Sequence, residues 1–128
     1  MNLLLDTHAL VWWIKADPRL SQPARQAILD DNTSVYVSVA SAWEIAIKVG
    51  SGKWDEARKL LENFENAVAE EGFDLLPIAV IHVRTAGLMK VQHRDPFDRL
   101  LAAQASIEDL TLVTTDPKLV ELRPAVLW

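Results

Sequence analysis

The sequence has no cysteine and only four glycines in 128 residues. Without cysteine there is no disulfide framework and no thiolate zinc site, and a reducing, cytoplasmic setting is favoured. No stretch approaches the ~20 consecutive apolar residues that cross a bilayer, so no membrane association is expected. The opening residues MNLLLDTHALVWWIKAD lack a basic leader, Asp6 and His8 interrupt their apolar run, and no small-residue cleavage site follows. They read as the first strand and helix of a fold, not as a signal peptide. There is no linker, low-complexity tract or internal repeat, so residues 1–128 read as one domain. Positive charge is also scarce. Thirteen basic residues face 18 acidic ones, a net charge of −5, which argues against a nucleic-acid partner because phosphates want Lys and Arg. The objection weakens if some acids hold cations. With four acids set aside as ligands, 13 bases face 14 acids, and bound divalent ions make such a site electropositive.

What is present is a hydrophobic half, enough for one buried core at this length. Residues 2–5 form a short apolar run, as expected of a strand buried on both faces of a parallel sheet. Residues 8–15 read as helix, stopped by Pro18. Ser21 caps a second helix with Pro23 in its first turn. SVYV (34–37) is a second strand, followed by helix over 39–49 ending at Gly50-Ser51-Gly52. Residues 54–71 carry a helical period, with Ala57, Leu60, Leu61, Phe64, Ala67 and Val68 on one face. Strand 73–76 precedes helix 79–90. Asp95-Pro96-Phe97-Asp98 opens a helix to about Glu108, LTLV (110–113) is a fourth strand, Asp116-Pro117 starts a helical turn, and 125–128 is a possible fifth strand. Alternation of this kind specifies an α/β fold: a parallel sheet of four to five strands covered by helices on both faces.

In such sheets ligands bind beyond the carboxyl ends of the strands. Asp6 follows the first strand and Asp116 the fourth. Glu44 lies two turns into the helix after the second strand, and Asp98 sits in the first turn of its helix. Four carboxylates can therefore meet at one mouth, where their mutual repulsion calls for cations. Oxygen-only ligation suits Mg²⁺ or Mn²⁺. Local roles compete with this reading. Asp6, Asp95 and Asp116 each stand where a helix cap belongs, the last two followed by proline at the first helical position. Glu44 and Lys48 form an (i, i+4) pair of the sort found on solvated helix faces, although Glu44 sits among Ala42, Trp43, Ile45, Ala46 and Ile47, where a carboxylate needs a partner. His8, His82 and His93 lack zinc spacing, and His82 reads as a helix-surface or core-edge residue. His93, Arg94 and Arg99 belong to the most basic stretch of the chain, either a solvated helix end or a rim that steers phosphate.

LLLDTHALVWW, SVASAWEIAIKVGSGK, HRDPFDRLLAAQA and LTLVTTD, in this order and spacing, resemble the PIN-domain nucleases over roughly residues 2–120. More closely, they resemble the VapC-type toxins of toxin–antitoxin pairs. The resemblance implies an α/β/α sandwich, and a Mg²⁺- or Mn²⁺-dependent endoribonuclease acting as a homodimer. A VapB-like antitoxin would lay a segment across its groove. It assigns the ligand or catalytic positions to Asp6, Glu44, Asp98 and Asp116, with Asp95 an extra acid. Thr7 and Thr114 are hydroxyls able to hold the carboxylates in place. Relatives often carry a further Asp three residues after the last of these, where this chain has Leu119. Water as nucleophile implies 5′-phosphate and 3′-hydroxyl ends. The apolar run Leu10–Ile14 and the segment 43–64 are expected to supply protein contacts, or else to be buried between layers. Other readings are a PIN-like scaffold without activity and an Asp-based phosphatase or receiver. The phosphatase needs a second Asp where His8 stands, and a receiver needs an acid within 75–80, where there is none.

Overall fold

The computed structural model describes residues 1–90, 95–122 and 124–128. Five strands, β1 (Asn2–Leu5), β2 (Ser34–Ser38), β3 (Asp74–Leu76), β4 (Thr111–Val113) and β5 (Val126–Leu127), form one sheet in the order β3-β2-β1-β4-β5. Every pairing is parallel, with Leu4 opposite Tyr36 on one side and Leu112 on the other. The helices are α1 (Thr7–Ile14), α2 (Gln22–Leu29), α3 (Val39–Gly50), α4 (Arg58–Glu62), α5 (Phe64–Glu70), α6 (Val80–Leu88), α7 (Pro96–Ile107) and α8 (Pro117–Glu121).

The pleat sorts the strand residues into two cores. Leu3, Leu5, Val35, Val37 and Val113 pack with α1 to α5, while Leu4, Tyr36 and Leu112 pack with α7 and α8. Leu3, Leu4 and Leu5 are fully buried, which explains why β1 reads as an unbroken apolar run. Cutting Leu4 back to alanine costs ~2–5 kcal/mol, the usual range for such cavities. The expected sandwich is therefore present, with five strands. The helix α6 lies over α7 and meets α3 through a small third cluster of Ala40, Ala86, Leu100 and Ala103.

One local expectation changes, and two open ones resolve. Residues 54–71 are not one helix: a 3₁₀ turn at Asp55–Ala57, α4 and α5 follow one another, broken at Asn63. The apolar face survives the break, since Ala57, Leu60, Phe64 and Val68 all reach the core. Asn63 competes for local hydrogen bonds, as asparagine does inside helices; its side chain accepts from Asn66. Leu10 and Val11 are fully buried, and Trp12, Trp13 and Ile14 pack half-buried against the same core, so the apolar run is mostly interlayer. His82 is buried, not at the surface. Its Nδ1 accepts from the Ala79 N–H at 2.9 Å, which puts the ring proton on Nε2, facing Glu108 at 3.6 Å. Among the described residues no helix is long and apolar enough to cross a membrane.

Candidate active site

The strand order reverses at β1, whose neighbours are β2 and β4. Chains leaving β1 and β4 turn to opposite faces of the sheet, α1 joining one core and α8 the other. A crevice opens between them at the carboxyl ends of the strands. Its acids are supplied by helix starts. Asp6 caps α1, its Oδ1 accepting from Ala9 N at 2.7 Å. Asp116 caps α8 through Lys118 N at 2.9 Å. Asp95 caps α7 through Phe97 N at 2.9 Å, and Pro96 at the first helical position sets Asp98 in the first turn. Glu44 enters from α3. Capping and clustering are thus one arrangement here, because the N-caps of α1, α7 and α8 line the same cavity.

All five carboxylates line a single cavity of about 90 Å³ together with Thr7, His8 and Lys48, walled on the apolar side by Leu101 and Leu119. Asp6, Glu44 and Asp98 are buried, at 6%, 8% and 8% exposure. Such burial of acids requires compensation, and the protein supplies part of it. Thr7 Oγ1 lies 2.6 Å from Glu44 Oε1 and 3.0 Å from Ser41 Oγ. The Thr7 hydroxyl has one proton; given to the carboxylate, it leaves Thr7 to accept from Ser41. Lys48 Nζ pairs with Glu44 Oε2 at 3.0 Å. Thr114, buried after β4, bonds the Asp6 carboxyl and accepts from Asp116 N at 3.0 Å, so one hydroxyl ties two of the acids together.

Compensation is incomplete at Asp6. Burial raises its carboxyl to about 6 from an ordinary 3.8; Thr114 and the Ala9 N–H pull it down, and the charges of Glu44 and Asp116 push it up. His8 is held below the usual imidazole value by burial and then by Lys48. A carboxyl displaced this far in a cleft is a candidate functional group.

The donors are all oxygen, which suits a hard divalent cation. Among the described residues no three His, Asp or Glu side chains converge closely enough to hold an ion as they stand. The carboxylates of Asp6, Glu44 and Asp116 are each turned toward donors of the protein itself. Leu119 places a buried aliphatic side chain against the cavity.

Of the residues assigned to a phosphate rim, His93 and Arg94 lie outside the described residues. Arg99 does not line that cavity: its guanidinium donates to the carbonyls of Gly87 and Met89 at the end of α6, and it lines a separate groove with Trp43 and Phe97. Three polar contributors were not assigned from sequence, His8 and Lys48 as cavity walls and Ser41 as a partner of Thr7; for Ser41 and Lys48 a signal was present. Their signal was the spacing 41, 44, 48, one face of a single helix.

Comparison with known proteins extends this geometry. The model of the PIN domain family matches residues 3–123. No curated protein matches the chain in sequence. Among solved structures, a chain of VapBC2 from Rickettsia felis, bound to a DNA fragment from its promoter, superposes with a TM-score of 0.71. The identity is 18%, over 99% of this chain and 98% of that one. A chain of VapBC-1 from nontypeable Haemophilus influenzae gives 0.66 at 20% identity, over 99% and 97%. A toxin–antitoxin complex from Klebsiella pneumoniae gives 0.64 at 18% identity, over 98% and 96%.

Proposed function

This chain belongs to the PIN domain family, and on that premise we propose that it is the metal-dependent endoribonuclease toxin of a toxin–antitoxin pair. The observation that carries the reading is the convergence of Asp6, Glu44, Asp95, Asp98 and Asp116, from four separate segments, on one cavity at the sheet's switch point. No packing requirement places five acids together; hydrolysis of a phosphodiester with bound cations does.

In this reading Asp6, Asp98 and Asp116 hold one or two Mg²⁺ or Mn²⁺ ions, and Glu44 serves as a ligand or orients the attacking water. When bound, the metal lowers the pKa of that water and stabilises charge on the phosphate. Thr7 and Thr114 fix the rotamers of Glu44 and Asp6, so the acids are aimed before substrate arrives. Lys48 offsets the charge of Glu44 and presents a cation beside the scissile phosphate. Asp95 holds the start of α7 and thereby the position of Asp98. Attack by water leaves a 5′-phosphate and a 3′-hydroxyl. The similarity to chains of VapBC and other toxin–antitoxin complexes supports a VapB-like antitoxin as partner. Self-association is proposed through the exposed apolar face of α3 and α6.

The test is cleavage of single-stranded RNA by the purified protein with Mn²⁺ or Mg²⁺, reading the end chemistry. Asp6→Asn and Asp98→Asn should abolish it while remaining folded. A scaffold without activity predicts no cleavage by any variant and no thermal stabilisation by Mn²⁺, whereas a ligand site occupied at a hundredfold excess over Kd adds about 2.7 kcal/mol. Wild-type rates in Asp6→Asn would sink the assignment.

A further inference from the structure

Beside the carboxylate cavity lies a second one of about 350 Å³, lined by Trp12, Trp54, Arg19, Lys48, Lys53 and Glu56, with His8 between the rings. His8 and Lys48 are walls of both cavities. The rings form a shelf, with Trp54 set into the core, Trp12 half-buried and His8 exposed. The imidazole of His8 lies 4.8 Å from the Trp54 ring, tilted by 30°, and 5.7 Å from that of Trp12. Cations stand over the shelf: the Arg19 guanidinium is 5.0 Å from the Trp12 centroid and Lys48 Nζ is 5.2 Å from that of Trp54.

Two helix stops build this pocket. At the end of α1, Asp17 N bonds Trp12 O and Ala16 N bonds Trp13 O, around Ala16 at φ 51°. At the end of α3, Lys53 N bonds Lys48 O and Gly52 N bonds Val49 O, around Gly52 at φ 75°. The first reversal carries Arg19 back over the Trp12 ring, and the second carries the Trp54 ring back to Lys48. Arg19 is then locked by paired bonds to Asp17 at 2.7 and 3.1 Å. Glu56 is occupied by the Trp54 Nε1–H at 3.1 Å. Lys53 is exposed and joins no ion pair among the described residues.

We propose that this pocket is a nucleotide subsite, in which a base of single-stranded RNA stacks on the Trp12–Trp54 shelf while Lys53 and Arg19 meet a neighbouring phosphate. The inference rests on the nuclease reading, since it places the nucleotide next to the one whose phosphate enters the carboxylate cavity. Aromatic faces interleaved with cations are the recurring means of holding single strands. The volume falls within the ~300–1,000 Å³ of small-ligand pockets. It also answers the deficit of basic residues: the few cations needed are gathered along one edge of the site.

The test compares the wild-type protein with Lys53→Met and Trp54→Leu on a fluorophore-labelled single-stranded RNA decamer. KM and kcat are measured with Mn²⁺, and Kd over a KCl series is measured for each in an Asp6→Asn background. Lys53→Met, at an exposed side chain, should weaken binding and lower the slope of log K against log salt by ~0.7, one phosphate contact. Trp54→Leu should raise KM by ~10- to ~100-fold, the loss of one stacked base, with a smaller effect on kcat. Unchanged Kd and salt slope in Lys53→Met, from a wild type that cleaves the decamer, would overturn the subsite alone and leave the pocket to a protein partner. A wild type that neither binds nor cleaves the decamer with either metal would overturn the nuclease reading and the subsite together.

Discussion

The Thr7 hydroxyl lies 2.6 Å from the Glu44 carboxylate, joining the first turn of α1 to the second turn of α3. Both side chains are buried, so the bond is charge-assisted and shielded from water.

Thr7→Val keeps the shape of the side chain and removes its donor. Among the described residues, Glu44 then retains its hydrogen-bonded ion pair with Lys48. A buried charged acceptor losing one partner costs ~1–3 kcal/mol. We expect a lower urea midpoint with unchanged m-value, and a fall in RNA cleavage larger than the stability loss explains. Thr7→Ser keeps the hydroxyl and should restore most of both. Wild-type stability in Thr7→Val would show that the bond contributes nothing net.

Asp6 gives the metal-free protein a pH dependence of known sign. Its folded carboxyl titrates at about 6 and its unfolded one at 3.8. The folded state binds the proton more tightly, so stability falls as pH rises from about 4 through 6. The loss is about 3 kcal/mol for a shift of this size. Asp17 works oppositely, its carboxyl lowered to about 2 by Arg19, and its contribution changes only below pH 4. The two windows do not overlap. Asp6→Asn keeps the cap to Ala9 and should flatten the slope between pH 4 and 7, measured by urea denaturation in EDTA. It should be the more stable protein at pH 7.5 and the inactive one. Saturating Mn²⁺ should stabilise the wild type at that pH and Asp6→Asn much less.

The parallel sheet, the order of elements and the meeting of acids were legible because they follow from patterns of single residues. An unbroken apolar run such as Leu3–Leu5 needs two covered faces, and Asp-Pro announces a helix start. The break at Asn63 was hidden because both halves keep the same apolar face. Arg99 misled because its neighbours in sequence are charged, whereas its neighbours in space are the carbonyls at the end of α6. Lys48 was weighed only as the helix-face partner of Glu44; the fold shows that it also walls the carboxylate cavity. The Trp12–Trp54 shelf joins residues 42 positions apart by sequence number, with no local signal linking them.

Ala16 sits at φ 51°, where a Cβ is strained, at the reversal that ends α1. Glycine holds the equivalent place after α3 and α5, at Gly52 and Gly72. Ala16→Gly should therefore raise stability by ~0.5–1 kcal/mol despite the greater freedom it gives the unfolded chain. Gly52→Ala should lower it by a similar amount, since nothing crowds the site and only φ opposes the methyl group. Chemical denaturation of both variants measures the sign directly. A destabilised Ala16→Gly would mean that the entropy of the unfolded chain outweighs the strain.

Trp43 is 58% exposed, and Val39 and Ile47 lie one turn to either side of it on α3. Across the groove, α6 exposes Val80 and Val83, and the Phe97 ring meets Trp43 edge-on at 5.0 Å. A contiguous apolar face of this kind on a chain of net charge −5 is expected to be covered by protein. A second copy suits it because a two-fold axis sets the same patch against itself. Tryptophan at the centre of an interface commonly carries 2 kcal/mol or more of the binding energy, roughly 30-fold in Kd. Trp43→Glu should thus convert a dimer to a monomer in size-exclusion chromatography with light scattering. Its effect on the monomer's own stability should stay within ~0.5 kcal/mol, as for surface changes generally. Cleavage of RNA by the monomer should persist, because all five cavity carboxylates come from one chain. If Trp43→Glu elutes with the wild-type mass and that mass is a dimer's, the copies meet on another face, and the groove beside Trp43 is left for the antitoxin.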